Sequence, residues 1–230
     1  MGGYYSPMNS YSHAHFAAQV EPVIRPTDPE AYYWGAVAPD IRYVAMMPRS
    51  RTHISNEEIT RLMELYPNQR SFLQGYFVHC MLDQIDVACV MASRFPLRFV
   101  RRRLPPQLMA VLVEYYYVEN FKAAYPIHGT HNEVLEALGI DAFQTRQYAN
   151  AMNAYLSAPS FDSAIGAFQA LGLLDDQRID KYRTTAERLQ RNWLLKKYLF
   201  RVVKNAHFDH IVAGKFRELK PPYLPVHRGY

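Results

Sequence analysis

Apolar residues dominate the stretch from Ser71 to Met91, which contains no proline and reads SFLQGYFVHCMLDQIDVACVM. One imidazole and two carboxylates interrupt this stretch at positions i, i+4 and i+7, namely those of His79, Asp83 and Asp86. Helical geometry places residues at this spacing on one stripe, so the pattern predicts a helix with an imidazole and carboxylates on its buried side. Because buried polar groups without partners are costly, either a bound divalent cation or a plain His–Asp hydrogen bond must satisfy them.

The same apolar periodicity predicts further helices through the rest of the chain. They are expected at residues 12–23, 55–66, 105–125, 131–138, 141–156, 160–171, 176–203 and 207–215. No segment shows the alternation or the hairpin signals that are typical of strands. The pattern therefore predicts an all-α fold, a single-domain helical bundle over residues 1–219 that is followed by a Pro-rich tail at 220–230.

Composition and charge narrow the class of protein. Hydrophobic residues make up 49% and charged residues 20% of the 230 positions, which suffices for a sizeable core and argues against disorder. The net charge of +5 favours anionic partners such as phosphate esters, lipid headgroups or nucleic acid. The two cysteines, Cys80 and Cys89, would lie roughly 13 Å apart on one helix, too far for a disulfide. This fits a reducing compartment, and since neither a signal peptide nor a transmembrane helix is predicted, we expect a cytoplasmic protein.

Two further residues join His79 and Asp83 as candidate metal ligands. Asp40 follows Pro39, where the chain is expected to turn, and His53 lies two residues before the predicted helix cap Ser55. Two neutral imidazoles and two carboxylates would fill the tetrahedral shell of one Zn²⁺ ion and neutralise its charge. The plainer interpretation of Asp40 is a turn or cap residue.

The predicted first helix carries two histidines, His13 and His15. They lie roughly 200° apart around a helix, so at most one is expected to face the core. His15 comes just before the apolar residues and is the candidate; the alternative is a partly exposed histidine near a helix start.

Three segments in order, WGAVAPDIRY, RTHI and QGYFVHCMLD, resemble the signature of the zinc-dependent phospholipase C-like proteins. Members of that family show an early His, a GAxAPD segment, a Thr-His pair and a GYxxHxxxD helix. The resemblance covers about residues 12–90 and implies an all-α bundle, which the single-strand-specific zinc nucleases share. It implies zinc at one site or two, and Asp83 would bridge the ions. The implied ligands are His15, Asp40, His53, His79 and Asp83.

The resemblance ends near residue 91. The bacterial three-zinc enzymes use a free N-terminal amine and a histidine six residues after the helix aspartate, where this chain has a leader and Cys89. Their later HxxxE pair is not found, because His131 is followed by Leu135 at i+4. Substitutes of suitable type are His128, His131, Glu133 and Asp86. We therefore expect one metal site, or two, and not a complete trinuclear cluster.

The resemblance implies a metal-dependent hydrolase that acts on a phosphate ester, either a phospholipid or another phosphodiester. A bound Zn²⁺ lowers the pKa of its water from about 15.7 toward about 7 and polarises a phosphoryl oxygen. The expected catalytic residues are Asp40, Asp86 as a proton acceptor, and Arg42 as a clamp for the phosphate. Arg49 and Arg51 are alternative clamps, and the plainer interpretation of each arginine is a surface residue.

A cluster of arginines follows the predicted central helix. Arg98, Arg101, Arg102 and Arg103 form either a solvated face or a docking patch for an anionic membrane surface. Nucleic acid is not expected, since no groove that combines stacking and basic residues is evident. The alternative function is a non-catalytic helical protein in which a structural metal or a His–Asp network supports binding to a partner or an anionic surface.

Overall fold

A computed structural model describes residues 9–94, 106–128 and 132–217, and within these ranges the protein is all-α, without strands. Helices α1 to α13 span Ser10–Ile24, Pro29–Val37, Arg49–Thr52, Asn56–Leu65, Arg70–Leu82, Val87–Arg94, Pro106–Phe121, Glu133–Ala137, Ala142–Ser157, Phe161–Ala170, Asp176–Arg191, Trp193–Asn205 and Phe208–Phe216. Two 3-10 helices span Ala38–Tyr43 and Pro67–Gln69. No helix in the described ranges has both the length and the hydrophobicity that a membrane span needs.

Local side chains explain most of the helix ends. Ser55 caps α4 by accepting the backbone N–H of Glu58 at 3.2 Å, as the sequence predicts. Asp141 caps α9 in the same way. Gly139 and Gly172 adopt positive φ of 87° and 67° just after α8 and α10, a conformation that glycine reaches without strain.

Two stretches that were each predicted as one helix are divided in the structure. Asp86 accepts the backbone N–H of Cys89 at 2.8 Å and starts α6, separate from α5, which ends at Leu82. Asn192 accepts the N–H of Leu195 at 3.0 Å and starts α12, separate from α11. The single-helix predictions were wrong because apolar periodicity runs on across a break, whereas a capping side chain sets where a new helix begins.

The closest helix contact lies between α2 and α5, where two glycines face the opposite backbone. A Cβ on Gly35 would lie 1.9 Å from the carbonyl oxygen of Phe72, and a Cβ on Gly75 would lie 1.9 Å from that of Tyr32. No other residue fits such an approach. The contact brings the Ala36 carbonyl of α2 within 2.8 Å of the Nδ1 atom of His79 on α5.

Helix α1 is packed against several helices. It contacts α2, α5, α7 and α13, and His13 lies beside His79 of α5 whereas His15 lies beside Tyr117 of α7. His13 and His15 are therefore both buried, each only 7% exposed. The expectation that at most one of them faces the core was wrong, because it assumed a helix with one buried face.

Candidate metal centre

Five side chains from four elements converge on one place, which we call the centre. Each offers a ligand atom within one of two overlapping groups, and all ligand atoms of a group lie within 4.8 Å of one another. His79 belongs to both groups. The first group is His13, Asp40 and His79, and the second is His53, His79 and Asp83.

Asp83 lies in the middle of the centre and uses its two oxygens on different neighbours. Its Oδ1 is 3.1 Å from Nε2 of His13, while its Oδ2 is 2.7 Å from Nε2 of His53 and 2.6 Å from Nη2 of Arg49. Burial alone would raise the pKa of Asp83, but the nearby His79 and hydrogen bonds from the imidazoles hold that pKa well below its usual range. The carboxylate is therefore ionised.

All three imidazoles are oriented by a contact on their outer nitrogen. Nδ1 of His79 lies 2.8 Å from the Ala36 carbonyl oxygen, and Nδ1 of His13 lies 2.8 Å from the Asn9 carbonyl oxygen. A carbonyl only accepts, so both Nδ1 atoms carry protons and both Nε2 atoms point inward. Nδ1 of His53 lies 3.1 Å from Oγ1 of Thr52. This outer contact is typical of metal-ligating histidines.

The donor set fits a divalent cation. Nε2 of His79 lies 3.3 Å from Nε2 of His53, and the ring of His79 stacks on that of His13 at 4.2 Å. Asp40, 8% exposed, brings a second carboxylate to the centre. Three imidazole nitrogens and two carboxylates are the nitrogen and oxygen ligands that Zn²⁺ takes in proteins.

Burial and the neighbouring Asp83 shift the pKa values of His13 and His53 in opposite directions. Burial lowers the pKa of His13, but its hydrogen bond and charge interaction with Asp83 outweigh that effect and raise the pKa to about 9. Burial lowers the pKa of His53, which its hydrogen bond to Asp83 offsets only in part. A cation bound by Nε2 of His13 would replace the proton on that atom.

A buried glutamate from α7 holds the start of α1. Glu114 is 1% exposed and accepts the backbone N–H groups of Tyr11 and Ser12 at 2.7 and 2.8 Å, the hydroxyl of Ser12 at 2.8 Å and that of Tyr155 at 2.7 Å. The Ser12 hydroxyl lies 3.0 Å from the Asn9 carbonyl oxygen, the same atom that orients His13. Glu114 thus replaces the missing N-cap side chain of α1 and fixes the turn that carries His13.

The structure does not bring His15 into the centre. Nδ1 of His15 lies 3.0 Å from the hydroxyl of Tyr125, and its Nε2 lies 3.1 Å from the amide nitrogen of Gln19. The rings of Tyr117 and Phe121 pack against it at 4.9 and 4.3 Å. His13 on the other side of α1 occupies the place that the sequence analysis gave to His15.

Of the three predicted catalytic residues, one lies in the centre and two lie outside it. Asp40 lies in the centre, whereas Asp86 is exposed and caps α6. Arg42 stacks on the ring of Tyr43 at 3.9 Å, and its Nη2 donates to the Tyr43 hydroxyl at 2.5 Å. Arg49 contacts the centre through Asp83, whereas Arg51 is exposed.

The remaining candidate ligands do not extend the centre. His128 is exposed and pairs with Glu30, and His131 lies outside the described residues. Within the described part of the chain, neither Glu133 nor Cys89 belongs to a group that could hold a metal. The arginine cluster at 98–103 also lies outside the described residues.

Sequence reasoning missed two residues that build the centre, His13 and Glu114. His13 has no signal of its own, since the two histidines of α1 differ only in which neighbouring helix each one faces. Glu114 interrupts the apolar run MAVLVEYYYV, and a lone acid in such a run is a signal of a buried, hydrogen-bonded carboxylate.

No protein-family model matches this chain, and neither a curated protein nor a solved structure is significantly similar to it. The resemblance to the zinc-dependent phospholipase C-like proteins therefore stays a prediction.

Proposed function

We propose that this chain is a metal-dependent hydrolase of phosphate esters, with zinc as its ion. The observation that carries the proposal is the convergence of three inward-facing imidazole Nε2 atoms with two carboxylates. Their outer nitrogens are already held by Ala36, Asn9 and Thr52, so the ligands are oriented before an ion binds. The partial signature of the zinc-dependent phospholipase C-like proteins supports the same proposal.

Each residue of the centre has a role that its position supports. His53, His79 and Asp83 form one group that would hold an ion, and His13 and Asp40 form the other group with His79. When bound, zinc supplies Lewis-acid chemistry, which lowers the pKa of a water molecule to about 7 and polarises a phosphoryl oxygen. Asp40, which lies beside these imidazoles, would accept a proton from an attacking water.

The residues around the centre differ in how far their side chains are exposed to solvent. The side chain of His79 is 1% exposed and that of His53 is 8% exposed, whereas Arg49 is 39% exposed. Arg49 therefore lies between solvent and the Asp83 carboxylate. A guanidinium at this position can bind a phosphate oxygen while it keeps its contact with Asp83, so Arg49 is the proposed phosphate clamp.

Hydrolysis of a simple phosphodiester, bis-(p-nitrophenyl) phosphate, tests the proposal. Wild-type protein is stripped with EDTA, reloaded with zinc, and compared with Asp83→Asn and with the matched control Asp86→Asn. We expect zinc-dependent turnover in wild type and in the control, and a loss of at least about 100-fold in Asp83→Asn. Zinc-loaded wild type that hydrolyses neither this diester nor phospholipids or phosphomonoesters would contradict the proposal.

A second candidate function is supported by the hydrogen bonds of Asp83. His13, His53 and Arg49 already satisfy its two oxygens, as they would in a network that only holds α1, α3 and α5 together. In that case the protein is non-catalytic and binds partners through its surface. Tight zinc binding without turnover on any of these esters would favour this function.

A further inference from the structure

The corner between α11 and α12 exposes three large apolar side chains in a row. Trp193 and Leu194 are each 62% exposed and Leu195 is 41% exposed. The corner is fixed, since Asn192 ends α11 with its own N–H and caps α12 with its side chain. These residues belong to an ordered helix start whose apolar side chains point to solvent.

The rest of α12 separates into a buried and an exposed face. Val202 and Val203 are buried, while Lys197, Arg201 and Lys204 are exposed. Together with Trp193 and Leu194, the exposed residues recur at helical spacing along one face. The outward face of α12 is therefore apolar at its beginning and basic along its length.

The chain segment that contains this corner carries a larger net charge than the whole protein. Residues 181–204 hold eight lysines and arginines and one acidic residue, a formal charge of +7, whereas the complete chain carries +5. Arg188 and Arg191 precede the apolar residues and Lys197 follows them, with its Nζ 5.6 Å from the ring centroid of Trp193. The apolar tip is thus bordered by positive charge on both sides.

We propose that this corner, residues 188–204, docks the protein on an anionic phospholipid membrane. Tryptophan and leucine side chains enter the boundary between headgroups and acyl chains, while lysine and arginine side chains contact lipid phosphates. The combination uses both forces that bind amphipathic helices to membranes, apolar burial and attraction to anionic lipids.

Two other partners fit the corner less well. Single-stranded nucleic acid binds grooves that pair basic residues with aromatic rings for base stacking, and two of the three exposed apolar residues here are leucines. A second copy of the chain would bring two strongly positive surfaces together, which repel each other. The docking proposal does not depend on the metal centre.

Co-sedimentation with vesicles tests the proposal. Vesicles of phosphatidylcholine are compared with vesicles of equal parts phosphatidylcholine and phosphatidylserine, using the full chain at low and high salt. We expect binding to the anionic vesicles alone, weakened at high salt because charge interactions are screened. Leu194→Ser should weaken binding about tenfold, and Lys197→Gln with Arg201→Gln should weaken it at least about tenfold.

The control is Phe143→Ala, which removes a side chain that is 68% exposed on α9, a different helix from the two that form the corner. It should bind anionic vesicles like wild type, and circular dichroism verifies that all variants are folded. The proposal is overturned if wild type ignores anionic vesicles, or if the corner variants bind as tightly as the control. Binding of single-stranded DNA in place of vesicles, or a dimer that Leu194→Ser dissociates, would overturn it as well.

Discussion

At the scale of single residues, the centre depends on which nitrogen of each histidine is tied to the protein. Backbone carbonyls of Asn9 and Ala36 hold the outer nitrogens of His13 and His79. This leaves one orientation for each ring, so little conformational freedom is lost when a ligand is bound. Loss of a single inward-facing histidine should therefore weaken the binding of a cation measurably.

Separate substitutions of the two histidines of α1 test which of them is a zinc ligand. We expect His13→Asn to weaken zinc binding by more than the roughly 10- to 100-fold that loss of an outer hydrogen bond causes. His15→Asn, in its separate contact with Tyr125, should retain wild-type affinity. Isothermal titration calorimetry with zinc measures both, and equal affinities of the two variants would contradict the assignment of His13.

The candidate site could be predicted from sequence only where a local motif carries it. Asp40, His53, His79 and Asp83 stand in short segments of recognisable spacing, and the structure brings them together. The choice between His13 and His15 could not be made from the sequence. It depends on distant partners, because His13 contacts Asp83, 70 positions away, and His15 contacts Tyr125, 110 positions away.

At the scale of elements, the contact of α2 with α5 fixes the distance between the Ala36 carbonyl on α2 and His79 on α5. Gly35 and Gly75 let the backbones touch, and His79 reaches across to Ala36 as a result. Periodicity predicted the all-α class correctly, but it missed the new helix starts at Asp86 and Asn192. A cap is a single side chain that competes for a backbone N–H, and apolar spacing does not record it.

A methyl group at Gly75 should damage both stability and zinc binding. Gly75→Ala places a Cβ 1.9 Å from the Tyr32 carbonyl oxygen, so the two helices must separate. We expect a loss of about 1–3 kcal/mol in the free energy of unfolding and weaker zinc binding. Urea unfolding measures the first effect and calorimetry the second.

Gly214→Ala on α13 is the matched control for this change. A Cβ at Gly214 meets no atom within 4 Å, so the substitution should leave zinc binding unchanged and stabilise the protein by about 0.4–1 kcal/mol. If Gly75→Ala and Gly214→Ala had the same stability, the close contact of α2 with α5 would not be a constraint.

At the scale of the whole molecule, ligands from α1, the first 3-10 helix, α3 and α5 meet in one centre. A cation that binds there binds the folded chain and not the unfolded one, so it stabilises the entire fold. The all-α class follows from the composition and periodicity of the sequence. The way in which distant segments close around the centre does not, because it depends on long-range packing.

Zinc should therefore raise the melting temperature of the protein. At a free concentration 100 times the Kd, the stabilisation is about 2.7 kcal/mol, which corresponds to about 5–10 °C for a protein of this size. Differential scanning calorimetry of EDTA-treated protein, with and without zinc, measures the shift. Asp83→Asn should show a much smaller shift, and an equal shift in the variant would place the zinc elsewhere.

The bond from Glu114 to the start of α1 has a consequence for biosynthesis. Ribosomes release a chain from its N-terminus, so the segments with the five inward-facing side chains emerge before position 114 does. During that interval the first turn of α1 lacks the carboxylate that holds it, and His13 is not yet fixed. A nascent chain should thus acquire its full affinity for zinc only after α7 has left the exit tunnel and folded back onto α1.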